Sequence, residues 1–331
     1  MTSLQKRLLA GVAIGMILYA GLALAADAGP IMEALGKLPA WTLALCLGMT
    51  TVNYGVRFIK WQLFLRTIDV RLPWRRSLHA FLAGMVMSIS PGKVGEVLKS
   101  GLLSSSDGVA AARTAPAVLA ERLTDLIGLV ILASFGVSAF DYGRPALVLT
   151  LVGTLGIIGV VNQPRLVGWG LGLVGRLPGR GAALQAGLTQ AYESARKMLQ
   201  IGPLTLATLL SVASWGMEGA AFWLILDALG GQDATLQKAE FLFSTTTIFG
   251  AISFLPGGLG MTEGTMIGGL IWMGIFAQRG PAIAATYLIR LVTLWYGVGV
   301  GFLALLTYPR AGQPTQAETA ADAPGDAPPN T

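Results

Sequence analysis

The chain has 331 residues, 53% of them hydrophobic and 12% charged, with a mean hydropathy of +0.65; a soluble domain carries about 25% charged residues, so a water-facing surface cannot be built from this supply. Cys46 is the only cysteine and His79 the only histidine, which excludes intramolecular disulfides and multi-thiolate or histidine-rich metal sites. The net charge of +6, from 23 Lys and Arg against 17 Asp and Glu, reads in so apolar a chain as cytoplasmic-loop bias and contact with lipid headgroups rather than nucleic acid.

In chain order, Lys6-Arg7 precede an apolar run ending near Ala23-Leu24-Ala25, a pattern that imitates a cleavable signal. The run is long for such a signal, so it is read as an uncleaved first helix. Six segments predict full spans: about 8–26, 41–65, 115–139, 145–161, 204–228 and 282–307. Two more apolar stretches, 78–103 and 240–275, are each broken by a Pro-Gly cluster. Such breaks free backbone polar groups, which hydrocarbon does not tolerate unless they line a cavity or are buried in protein. Both stretches are therefore read as re-entrant helical hairpins, the first entering from the cytoplasm and the second from the opposite side. Residues 165–200 begin Gly-rich and become amphipathic, which predicts a cytoplasmic interfacial helix. Residues 309–331, rich in Pro, Gly and Ala, predict a disordered cytoplasmic tail.

Charge placement orients this arrangement. With both termini inside, the inner side receives 13 basic residues: Lys6, Arg7, Arg66, Arg71, Arg75, Arg76, Arg113, Arg165, Arg176, Arg180, Arg196, Lys197 and Arg310. The outer side receives 4: Lys37, Arg144, Lys238 and Arg279. That asymmetry follows the positive-inside rule.

An internal repeat runs through the chain. Pro91-Gly92-Lys93-Val94-Gly95-Glu96 matches Pro256-Gly257-Gly258-Leu259-Gly260 and the later Glu263, at an offset of 165 residues. Arg122 and Arg290 repeat at an offset of 168. Each half, about 5–140 and 145–308, then holds three spans and one hairpin, and the halves run in opposite directions. The predicted fold is an all-α membrane protein with six transmembrane helices and two re-entrant helical hairpins in an inverted-topology repeat, a plan that places a substrate site near the midplane.

Eleven charged residues fall inside these segments and clear of their ends: Arg57, Lys60, Lys93, Lys99, Arg122 and Arg290, with Glu96, Glu121, Asp125, Glu218 and Glu263. Exposed to lipid they would cost on the order of 30 kcal/mol, so they must face one another or a watery cavity. Asn53, Arg57 and Lys60 share one helix face. Arg57 lies nine residues from Arg66, about 13 Å deep, whereas Lys60 is within snorkelling reach. Arg122 and Asp125 can form an internal pair. Glu218, beside Trp215, is expected to bond to the re-entrant loops. Pro91 and Pro256 precede half-helix N-termini, whose free N–H groups suit a phosphate. Glu96 has Lys93 and Lys99 as helical neighbours and is expected to stay ionised. No Lys or Arg lies within a turn of Glu263, which is expected to take up protons.

At these residues, Arg57…Trp61, Pro91-Gly-Lys-Val-Gly-Glu96, Glu121-Arg122…Asp125 and Pro256-Gly-Gly-Leu-Gly…Glu263, the chain resembles the flippase-like family called the lysylphosphatidylglycerol synthase transmembrane region. The resemblance covers roughly residues 5–307 and implies a stand-alone flippase-like domain over 1–308, without the synthase half. It also implies a bacterial inner-membrane protein that moves or presents polar lipids, either phospholipids or polyprenyl- and hopanoid-type lipids.

The function expected is translocation of a lipid with a phosphate-containing headgroup. The substrate-binding residues would be Arg57, Lys60, Pro91, Gly92, Lys93, Gly95, Glu96, Arg122, Asp125, Glu218, Pro256, Gly257, Gly258, Gly260, Glu263 and Arg290. No cofactor, metal or catalytic residue is expected, since no nucleotide motif, nucleophile–base pair or metal cluster is present. Two alternatives stand beside this reading. One is a non-transporting membrane subunit that recruits a lipid-modifying enzyme. The other is a transporter of small soluble anions.

Overall fold

The computed structural model describes residues 38–90, 94–137, 163–175 and 181–308, with isolated positions 32, 33, 36, 148, 152, 156 and 159. The first expected span, all but four positions of the fourth, the triplet Pro91-Gly92-Lys93 and the tail 309–331 lie outside the described residues. Every regular element among the described residues is helical.

The order is α1 (Ala40–Thr67), α2 (Trp74–Gly84), 3-10 turns at Met85–Ile89 and Val94–Val97, α3 (Leu98–Asp107) and α4 (Ala111–Val137). Then come α5 (Pro164–Gly175), α6 (Gly181–Met198), α7 (Ile201–Ala228), α8 (Leu236–Ile252) and α9 (Met261–Trp272). Last are α10 (Arg279–Arg290), a π-helical turn at Leu291–Trp295 and α11 (Tyr296–Leu306). Two continuous helices, Ile201–Ala228 and Arg279–Leu306, are 28 residues each and apolar enough to cross a membrane, about 42 Å at 1.5 Å per residue. Helices α1 and α4 are of similar length, 28 and 27 residues. They carry charged residues that turn inward, Arg57, Lys60, Glu121 and Asp125 all being buried.

The second Pro-Gly cluster separates two helices as expected, while the first, Pro91-Gly92-Lys93, lies outside the described residues, after α2 has ended at Gly84. α2 and α3 pack together around the first break, and α8 and α9 pack around the second. The second turn is built on positive φ at Phe254 (52°), Gly257 (61°), Gly258 (68°) and Gly260 (85°). Three of these are glycines because only glycine adopts that region freely.

The packing exchanges the two parts of the chain. α8 lies on α4, and α2 with its 3-10 turn lies on α11. α1 packs along α7, and the contacts reverse in order: Cys46 Sγ donates to the Ala221 carbonyl, Asn53 to Ser214 and Lys60 to Ser211. α1 and α7, equivalent under the repeat offset, are therefore antiparallel.

The region 165–200 differs from its expectation. It holds two helices rather than one, because the Gly-rich part is also helical. α6 is docked on α4, with Ser194, Met198 and Leu199 buried. Hydrophobic core fills the space between α4, α7, α8, α9 and α10, and a second part joins α1, α2 and α4.

Candidate functional site

Burying a charge is expensive unless a partner answers it, and the site is organised by that demand. Lys60 Nζ donates to Asp125 Oδ1 at 2.5 Å and to Ser211 Oγ at 2.8 Å. Lys60 is 1% exposed, so it does not snorkel but ties α1 to α4 and α7. Lys99 pairs with Glu121 and lies 4.3 Å over the Trp61 ring, a cation–π contact in a dry setting.

Glu96 collects two arginines. Its Oε2 is 3.3 Å from Arg122 Nη2, its Oε1 is 3.7 Å from Arg57 Nη2, and Ser88 Oγ donates to Oε1 at 3.1 Å. Arg122 also reaches Asp125 Oδ2 at 3.1 Å, so the internal pair forms. The expected partnership of Glu96 with Lys99 is replaced, since Lys99 turns to Glu121. Helical proximity offered both, but the tertiary fold brings Arg57 and Arg122 to Glu96.

The second hairpin corrects a further expectation. Glu263 is not without a cation: Arg290 Nε donates to its Oε1 at 2.7 Å, and Arg290 Nη2 donates to the Gly257 carbonyl at 2.5 Å. The other oxygen, Oε2, accepts from the Gly260 N–H at 2.7 Å. The N-terminus of α9 is thus already capped by a carboxylate of its own chain, rather than left open for a phosphate. In the first hairpin the Gly95 N–H donates to Ser90 Oγ at 2.8 Å. A Cβ at Gly95 would lie 2.6 Å from that oxygen, so the tight turn requires glycine. Glu218 Oε1 accepts from Asn53 on α1 at 2.8 Å, where the sequence suggested the hairpin loops.

These groups converge on one cavity of about 330 Å³. Arg57, Arg122, Asp125, Glu218, Arg290, Ser88, Ser90, Gly257 and Gly258 line it. Leu126, Leu129, Phe243, Ile248 and Leu294 make apolar walls, and the rim at Ile252, Phe254 and Leu255 is exposed. Arg122 Nε is buried without a hydrogen-bond partner among the described residues. Lys60, Gly95, Glu96 and Glu263 do not line the cavity but bond to residues that do, and Pro256 and Gly260 lie outside its lining. Pro91, Gly92 and Lys93 lie outside the described residues.

Sequence reading missed Tyr54, Trp215, Ser211 and Glu240. Tyr54 lines the cavity, stacks on Tyr296 at 5.8 Å and donates to the Thr293 carbonyl at 3.0 Å. That carbonyl belongs to the π turn, where it also accepts from the Tyr296 N–H. Glu240 is 4% exposed. Standing at the edge of an apolar stretch, it could have been counted among the embedded charges.

The sequence model of the lysylphosphatidylglycerol synthase TM region matches residues 8–301. The chain belongs to that family. Two proteins of the archaeon Methanothermobacter thermautotrophicus, each called a UPF0104 membrane protein, are similar to it. One is 25% identical over 319 residues, covering 89% of this chain and 93% of its own. The other is 23% identical over 314 residues, covering 87% and 90%. This member of the synthase TM-region family is therefore a helical membrane protein, and its similarity reaches beyond bacterial inner membranes.

Proposed function

We propose that this protein is a carrier that moves a lipid with a phosphate-containing headgroup across the cytoplasmic membrane. The observation that carries the reading is one cavity with an arginine-lined floor and an exposed apolar rim. An amphiphile needs both, whereas a small soluble anion has no use for the rim. Six spans and two re-entrant hairpins, with both termini inside, are the topology that goes with it. The antiparallel α1–α7 pair and the exchange of hairpins between α4 and α11 support an inverted repeat.

Arg57 and Arg122 share Glu96, so an incoming phosphate exchanges one carboxylate for another anion at little electrostatic cost. Arg122 Nε supplies a donor not yet used. Outside Glu240, the described cluster holds five cations (Arg57, Lys60, Lys99, Arg122, Arg290) against five anions (Glu96, Glu121, Asp125, Glu218, Glu263). The chain performs no chemistry of its own in this reading; it binds, shields and releases.

Mass spectrometry of lipids retained in native membrane discs tests it. An anionic or zwitterionic phospholipid or polyprenyl phosphate should be enriched with the wild type and lost in Arg57→Ala and Arg122→Ala. Equal retention by both folded variants would sink the assignment.

A further inference from the structure

Glu240 stands apart from the charged cluster. It follows the α8 N-cap Thr235 by five residues, and its Oε2 has no hydrogen-bond partner among the described residues. The α7 backbone opposite makes room for it. A Cβ at Gly219 would run into both carboxylate oxygens, and one at Gly216 would meet Leu132 of α4 and Glu240 Oε1 at 3.6 and 3.8 Å. Three helices thus close around one carboxyl group.

A polar line leads from it to the cavity. Glu240, Ser244 and Thr247 are spaced i, i+4, i+7 and share a face of α8. Ser244 is fully buried with its Oγ unpartnered among the described residues, and Thr247 lines the cavity. Beside that line, Phe243 and Trp215 pack with ring centres 6.3 Å apart, and both line the cavity.

Among the described residues, no ion pair reaches Glu240 from the elements packed on it. On α7, Glu218 adjoins Gly219 but accepts from Asn53. On α4, Asp125 lies seven residues from Leu132 and is held by Lys60 and Arg122. On α9, Glu263 is held by Arg290. On α8 itself, Lys238 is two positions away, on another face.

We propose that Glu240 is a proton-binding site that couples proton movement to the transport cycle. A hydronium ion arriving from the Thr235 end of α8 breaks one O–H bond to give its proton to a carboxylate oxygen and leaves as water. On release, a water entering from the cavity past Thr247 and Ser244 takes the proton away as hydronium, and no electrons are exchanged. A carboxyl group shut away from water and cations is tolerated as the neutral acid and disfavoured as the anion, so proton and conformation change together. Coupling rests on the carrier reading above; proton binding does not.

The test uses the full chain in phosphatidylcholine vesicles holding fluorescently labelled phosphatidylglycerol, with and without an imposed pH gradient. The wild type should move the probe faster under the gradient, and Glu240→Gln should lose that whole increment while retaining gradient-free exchange. Infrared spectra should show a neutral carboxylic acid carbonyl band that disappears in Glu240→Gln. Gly219→Ala, which displaces the carboxyl, should shift or remove the same band. A gradient response kept in Glu240→Gln, or a band indifferent to that substitution, overturns the proposal. A band lost in Glu240→Gln without any gradient response in the wild type overturns the coupling. No probe movement by the wild type under any condition sinks the carrier reading alone, and the infrared band then decides Glu240 by itself.

Discussion

Lys60 on α1 and Asp125 on α4 meet at 2.5 Å with side chains 1% and 5% exposed, and Ser211 of α7 donates to the same Asp125 oxygen at 3.1 Å. Three helices are pinned at one point by a charge pair whose Asp125 lines the cavity and whose Lys60 does not. Its removal should act on the fold before it acts on any ligand.

Lys60→Met should therefore destabilise the protein by about 3–5 kcal/mol, because Asp125 would be left buried with only Arg122 to answer it. Lys60→Met combined with Asp125→Leu should recover most of that loss. Thermal unfolding in detergent measures both, and a double variant no more stable than the single one would contradict a structural role.

Arg57 and Arg122 should behave differently. Both sit on Glu96, which keeps a cation when either is lost, so each single alanine should leave the fold standing and weaken phospholipid binding at least tenfold. Arg57→Lys should rescue little, since a lysine offers a point charge in place of a planar fork. Titration of labelled phosphatidylglycerol against the purified variants reads this directly.

Much of the site could be read from the sequence. Asn53, Arg57 and Lys60 sit on one helix face, and that face does turn inward. The Pro-Gly cluster at Pro256 separated α8 from α9 where expected. What the spacing could not supply was partner choice. Glu96 had lysines within a turn and took arginines from α1 and α4. Glu263 had none and took Arg290 from a residue 27 positions away. Ion pairs inside a membrane protein are chosen by tertiary approach, and one-dimensional spacing is blind to that. Glu240 was missed for another reason: it begins an apolar stretch, where a lone charge looks like the edge of a span.

Topology is open to a direct check. Gly168 precedes α7 and Gln232 follows it, and both are exposed. In a Cys46→Ser background, Gly168→Cys should be labelled only from the cytoplasmic side and Gln232→Cys only from the opposite side. Labelling of both from one side would remove α7 as a span and the inverted repeat with it.

The rim residue Phe254 supplies the last prediction. It adopts φ 52° although it is not glycine, and its side chain is 68% exposed. The left-handed region costs an ordinary residue about 1–2 kcal/mol, and little burial offsets that here. Phe254→Gly should leave thermal stability unchanged or slightly raised, because relief of strain opposes the added freedom of the unfolded chain. Phe254→Ala keeps the strain and should gain nothing. Both variants lose the aromatic wall that would guide acyl chains from the cavity to the bilayer. Transport of long-chain phospholipid should then fall in both, while binding of a short-chain, water-soluble phosphatidylglycerol should persist. Equal loss for the two probes would place Phe254 with the headgroup floor instead of the rim.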